Sequence, residues 1–228
     1  MLVEWILANR ELLQIVYALV IGFVCSMIVL ETDRMFKISD YQGLRYFRNS
    51  FFFYGLAFIV RFILGNSLFV NLSSNYFLGT NFFFEFFINL AGLFLLYSLI
   101  WKKMETEKKH HSLLNINAAV LYLVAFLIAM LDLMLGTNLY LYSSQVILFL
   151  IMGIISYRNY SKNKGPNNLS KLHFFTISVG LLVWIANFVV NYFLPQNNPL
   201  KIVAYFINLV FFLLFLYGTI KLIRKKNG

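Results

Sequence analysis

Runs of about twenty apolar residues recur along nearly the whole chain, and no other feature restricts the fold as strongly. At 1.5 Å per helical residue, each run is long enough to cross roughly 30 Å of hydrocarbon. Composition agrees, because 61% of the 228 residues are hydrophobic and only 12% are charged, about half the charged fraction of a soluble domain. The expected class is all-α: a polytopic bundle forming a single transmembrane domain over residues 1–228. The lipid bilayer is its main partner and the cell (plasma) membrane its expected location. Only short loops remain between the runs, which leaves no room for a soluble catalytic, nucleotide-binding or DNA-binding domain.

The runs place seven spans at 11–31, 45–65, 81–101, 113–135, 139–157, 171–194 and 199–222. Glu4 and Glu11 precede the first run without a basic leader or a small-residue cleavage signature, so that run is expected to be a retained helix. Ser39 followed by Gln42 fits a capping box for span two, Ser170 is placed to cap span six, and Asn198 before Pro199 fits the start of span seven. All three prolines lie in loops, so no proline kink is expected within a span. Cys25 is alone inside span one, which excludes an intrachain disulfide.

The net charge of +10 is better read as topology than as affinity for nucleic acid, because the basic residues fall into four clusters separated by spans. Arg34, Lys37, Arg45 and Arg48 precede span two, and Lys102, Lys103, Lys108 and Lys109 follow span three. Arg158, Lys162, Lys164 and Lys171 lie between spans five and six, and Lys221, Arg224, Lys225 and Lys226 form the tail. Sixteen of the nineteen basic residues therefore share one side, while loops 66–80 and 136–138 have none. Basic residues near span ends are retained in the cytoplasm, so the N-terminus is expected outside and the C-terminus inside.

Phe87-Ile88-Asn89-Leu90 in span three recurs as Phe206-Ile207-Asn208-Leu209 in span seven, and Lys102 matches Lys221 at the same offset. Spans two and six each follow a basic residue, Arg45 or Lys171, with a polar residue sixteen positions later, Arg61 or Asn187. These matches suggest parallel repeats over 11–101 and 139–222, joined by helix 113–135 in a three-plus-one-plus-three plan.

Charged side chains within lipid are costly, about 2.5–3.5 kcal/mol at a helix centre, so their positions point to a site. Arg61, Glu85 and Asp132 all fall in the outer portions of their spans, at similar depth. Asp132 continues a stripe of Ala118, Tyr122, Ala125 and Ala129 that should face the bundle, since small residues permit close helix approach. Gly180, Trp184, Asn187 and Asn191 make a similar stripe on span six; Glu85 and Asn89 share a face of span three, and Lys201, Tyr205 and Asn208 one of span seven. Gln145 can join from span five. The candidate is an outward-facing polar pocket of Arg61, Glu85, Asp132, Asn187 and Asn191, with Asn89 and Lys201 at its margins. The competing reading is an ion-pair and amide network that fixes helix register.

Other features carry less. His110 and His111 read as a solvated loop, His173 as an interface residue, and the Ala18, Gly22, Ser26 stripe as packing. No phosphate loop, zinc-helix motif, membrane-protease aspartate pair or nucleophile elbow occurs, so no catalytic residue, metal or cofactor is expected. No lysine lies between Lys201 and Lys221 to form a retinal Schiff base. The Ser98-Leu99-Ile100-Trp101-Lys102 ending of span three differs from the acidic-Arg-aromatic triplet of many G-protein-coupled receptors.

The segment from Gly43 to Phe62, with Tyr46-Phe47-Arg48-Asn49 leading into a Phe-rich span and Arg61 near its end, resembles small uncharacterised seven-span membrane proteins of archaeal type. The span layout is also similar to the seven-helix sensor regions of some membrane histidine kinases. That likeness implies a sensor or receptor-like protein for a small polar ligand or ion, with output through a separate signalling partner at the cytoplasmic loops. Sugar and vitamin transporters of three-plus-one-plus-three plan are the other comparison, although their proline-glutamine hinge is missing here, Pro195-Gln196 being in an outer loop. The expected function is the sensor, because the charges within the spans are confined to the outer third of the bundle; a small-solute transporter is the alternative and a structural subunit of a membrane complex the third reading.

Overall fold

The computed structural model describes residues 10–64, 74–106, 111–162, 168–193 and 200–227. Within them lie seven α-helices: α1 (Arg10–Ser39), α2 (Gln42–Ile59), α3 (Ser74–Thr106), α4 (His111–Leu135), α5 (Leu139–Lys162), α6 (Asn168–Phe193) and α7 (Leu200–Asn227). A π-helical turn, Val60–Leu64, continues α2. Each helix matches one apolar run. Among the described residues, Leu12–Ile38, Gln42–Leu64, Leu78–Trp101 and Leu139–Ser161 are long and apolar enough to cross a membrane, and α4, α6 and α7 contribute shorter apolar stretches. Such helices suit a lipid bilayer.

The last turns of α1 carry charge pairs on their exposed side. Arg34 meets Glu31 at 3.8 Å and Lys37 meets Asp33 at 3.1 Å, spacings at which helical side chains are neighbours. Asp33 also pairs with Arg48 on α2, tying the two helices together beside the turn. The end of α1 overturns the expected capping box. Ser39 is the last residue of α1, the chain reverses at Asp40 with φ 49°, and the N-cap of α2 is Tyr41, which makes no side-chain capping bond. Aspartate tolerates that left-handed conformation better than most residues. Ser170 also lies inside its helix, since α6 already begins at Asn168. Asn198 and Pro199 lie outside the described residues.

Facing residues give the helix directions. Tyr17 packs on Phe58 and Phe62 while Cys25 meets Gly55, so α1 and α2 are antiparallel. Asn89 faces Ser144 and Gln145 while Gly92 faces Leu148, so α3 and α5 run parallel. Tyr142 contacts Phe188 while Phe149 contacts Trp184, which makes α5 and α6 antiparallel. Each of α1, α2 and α3 packs on the next, α3 packs on α5, α5 on α6, α6 on α7, and α7 returns to α1. The result is a closed ring of six helices, with α4 outside it against α3 and α5.

Phenylalanines fill the ring. Phe51 and Tyr54 on α2 and Phe211, Phe212 and Phe215 on α7 are buried and meet mostly edge-on or tilted, with centroids 4.9–6.3 Å apart. Lipid is as apolar as these rings, so their packing geometry rather than exclusion from water holds the helices together. Glycine provides the closest approach: a Cβ on Gly180 would stand 2.5 Å from the Phe149 ring and 2.6 Å from that of Phe211. On α1, Ala18 is fully buried, whereas Ser26 is exposed and bonds back to the Gly22 carbonyl.

Candidate functional site

The polar residues gather at the end of the bundle where α2 finishes, α3 begins and α4 turns into α5. Gly136 ends α4 with φ 62°, and the Thr137 amide reaches back to the Asp132 carbonyl at 3.1 Å, a glycine-terminated helix stop. The Asp132 side chain then serves the next helix. One oxygen accepts from the Tyr140 amide at 3.0 Å and the Thr137 hydroxyl at 3.1 Å, and the other from the Leu141 amide at 2.6 Å. Those amides belong to the first turn of α5, which has no intrahelical acceptors for them, and a carboxylate there also meets the positive end of the helix dipole. Asp132, only 1% exposed, thus caps a helix across a tight turn. Of the stripe, Ala125 and Ala129 are fully buried, Tyr122 is 42% exposed and meets Phe53 and Phe94 edge-on, and the Ala118 side chain lies outside the described residues.

A second polar group joins α3 to α5. The Asn89 amide donates to the Glu85 carbonyl at 3.0 Å, and its oxygen accepts from Ser144 at 2.6 Å and Gln145 at 3.1 Å. Gln145 lies over Gly92, where a Cβ would come within 2.7 Å of its oxygen. Glu85 is buried at the same level, with one carboxylate oxygen lacking a hydrogen-bond partner among the described residues.

Arg61 is carried by the π-helical turn, a widened geometry often found at functional sites. Its guanidinium lies 4.3 Å from the centre of the Phe84 ring and 5.8 Å from that of Phe62. The charges of Arg61 and Asp132 are both close enough to be felt at Glu85. The ion pairs found among the described residues nevertheless join Arg34, Lys37 and Arg48 to Glu31 and Asp33, and none joins Arg61 to Glu85 or Asp132. An aromatic face takes the place of a carboxylate as the neighbour of this cation.

Across the ring, the Asn187 amide donates to Asn208 at 2.6 Å and to the Val183 carbonyl at 2.9 Å, and Asn208 donates in return at 3.3 Å. Between this pair and Arg61 is a cavity of about 70 Å³, whose wall also includes Tyr54, Phe84, Trp184 and Phe212. The site residues read from sequence therefore divide. Arg61 and Asn187 share the cavity, Glu85 and Asn89 belong to the α3–α5 layer, and Asp132 belongs to the turn. The side chains of Asn191 and Lys201 lie outside the described residues. Tyr54 was missed, although its spacing of four to Phe58 and seven to Arg61 places all three on one helical face. Asn208 could have been promoted on its recurrence with Asn89. The π-helical turn gave no such sequence signal.

An all-helical bundle with apolar outer surfaces and a buried polar layer is the class these observations define. The chain is 31% identical over 98 residues to an uncharacterized protein of the archaeon Archaeoglobus fulgidus, a match covering 39% of this chain and 43% of that protein. The chain thus spans less than half the length of this relative, and the match fits the likeness to uncharacterised archaeal proteins. No family model matches the chain, and no solved structure does.

Proposed function

We propose that the chain is a seven-span integral membrane protein, N-terminus outside, that works as a sensor or receptor-like protein by taking a small polar solute into its cavity near the outer face. The observation that carries this reading is the contrast between the two ends of the ring. Arg61, Asn187 and Asn208 meet a cavity at one end, while Phe47, Phe51, Phe211 and Phe215 fill the interior beyond it. A solute crossing that aromatic section would shed its hydration without replacement contacts, costing several kcal/mol per unsatisfied polar group. Binding without passage is then the cheaper behaviour. The orientation rests on the sixteen basic residues assigned to one side. Output would run through a separate partner at those basic loops, as the kinase-sensor likeness implies.

The transporter reading has one specific support: the six-helix ring with α4 outside fits two three-helix halves joined by a linker, a plan suited to alternating access. Sealed vesicles separate the two. The sensor reading expects saturable binding that depends on Arg61 and no solute accumulation inside, whereas saturable uptake lost in Arg61→Gln would overturn it in favour of transport. Orientation is tested in a Cys25→Ala background, where Asn71→Cys and Lys164→Cys should label from opposite sides of the membrane. Labelling from one side would end the topology.

A further inference from the structure

The cavity wall carries the Arg61 cation and, among the described residues, no carboxylate. We infer that the cavity between Arg61, Tyr54 and the Asn187–Asn208 pair is a binding site for a small inorganic or carboxylate anion. This rests on the solute-binding reading above and names the chemistry of the solute.

Arg61 is the only charged residue on the wall, and no carboxylate lines it among the described residues. Glu85, although next to Phe84 in sequence, is not part of the wall. A guanidinium held over an aromatic face keeps its N–H groups directed outward in its own plane, where they match an oxyanion. The asparagine pair adds to this bias. Each side-chain oxygen accepts one bond from the other amide, and the Asn187 nitrogen donates to both Asn208 and Val183. The Asn208 nitrogen makes one bond, to Asn187, so its second N–H is available. Tyr54 is 1% exposed, lines the cavity, and has a hydroxyl without a hydrogen-bond partner among the described residues. A cationic guest would meet the Arg61 charge directly on the wall, whereas an anion offsets it.

Size narrows the class. The cavity's 70 Å³ is about five times the ~10–15 Å³ needed by one water on the same measure. That accommodates on the order of four heavy atoms, as in formate, nitrate or acetate, and excludes sugars and nucleotides.

The test uses the full chain in nanodiscs, with thermal unfolding followed against sodium formate, nitrate and acetate at constant ionic strength. Sodium gluconate serves as the anion too large to enter, and methylammonium and acetamide as the cationic and neutral probes. A ligand that binds only the folded state raises Tm saturably. Formate or nitrate should do so and gluconate should not. The apparent Kd should rise about tenfold or more in Arg61→Gln, as expected on losing a charge-assisted bond, and by a smaller factor in Asn208→Leu. If Arg61→Gln does not fold, the anion selectivity of the unaltered chain and the Asn208→Leu variant decide. A saturable shift with methylammonium or acetamide but no anion, lost in Asn208→Leu, overturns the anion and leaves solute binding standing. No saturable shift with any probe overturns both. Anion binding unchanged in both variants places the site elsewhere and overturns the inference.

Discussion

The tetrapeptide Phe-Ile-Asn-Leu occurs on α3 and again on α7, and its two copies have different surroundings. On α3, Ile88 and Asn89 are fully buried, and Asn89 is held by one bond it donates and two it accepts. On α7, Phe206 and Ile207 are 64% and 40% exposed, and Asn208 shares a bond pair with Asn187 while lining the cavity. The difference arises in the helix opposite. Helix α5 brings a hydroxyl and a long amide that fill both acceptor positions of the Asn89 oxygen, whereas α6 brings one short amide to Asn208, which lies on the cavity wall. One asparagine locks two helices and the other is available to a guest, although four residues of local sequence are identical.

The largest expected effect tests what fixes α6 and α7 in the absence of a saturated amide layer. If aromatic packing beneath Asn187 does so, Gly180→Ala should destabilise the bundle by about 3 kcal/mol, the upper range for overpacking, because two ring carbons stand within 2.6 Å of the new Cβ. Gly92→Ala should cost less, since the atoms it meets first are the movable ends of Gln145 and Leu148. Unfolding in mixed micelles measures both, and equal losses would show that packing does not distinguish the two halves.

Asn89→Leu tests the locked layer. It removes an acceptor shared by Ser144 and Gln145 and leaves the buried Gln145 amide only its longer bond to the Ile88 carbonyl at 3.4 Å, for an expected loss of about 2 kcal/mol. Restoration by Gln145→Leu in the same chain would show that the Gln145 amide was responsible. Asp132→Ala should cost about 1–2 kcal/mol, as for other lost caps, with hydrogen exchange rising first in the Tyr140 and Leu141 amides. A uniform rise along α4 and α5 would contradict the capping role.

What the sequence disclosed follows the same division. Helix number and most boundaries could be read because hydropathy is a sum over many residues, so one atypical side chain does not change it. The place of Asp132 near the end of its helix was legible, but its task was not: capping Leu141 depends on a three-residue turn whose path is set by Gly136 at positive φ. Arg61 could be placed near the end of its span, but the π-helical turn changes the direction of its side chain and brings it over Phe84. The Ser39 capping box failed because α1 continues through Ser39 and the chain reverses only at Asp40, leaving Tyr41 as the N-cap of α2. Pairwise polar geometry depends on helix rotation, which a period of 3.6 residues specifies too loosely to choose between a carboxylate and a ring.

The smallest effect gives the sharpest comparison. A double-mutant cycle on Asn89 and Gln145 should give a coupling energy towards the upper end of values known for buried interhelical bonds, about 1.7 kcal/mol. Neither side chain has water as an alternative: both are 0% exposed. The same cycle on Asn187 and Asn208 should give about 0.6 kcal/mol, the average for such bonds. Asn187 and Gln145 each retain a backbone carbonyl, Val183 or Ile88, when the partner asparagine is removed, but only Asn208 faces a cavity large enough for water. Formate at a concentration saturating the unaltered chain should lower the second coupling further, because a guest that draws on the Asn208 donor competes with the pair. The Asn89–Gln145 value should stay fixed under the same addition. Equal coupling in the two layers, or a formate effect on the Asn89 layer, would mean that the two asparagines are not divided between locking and binding.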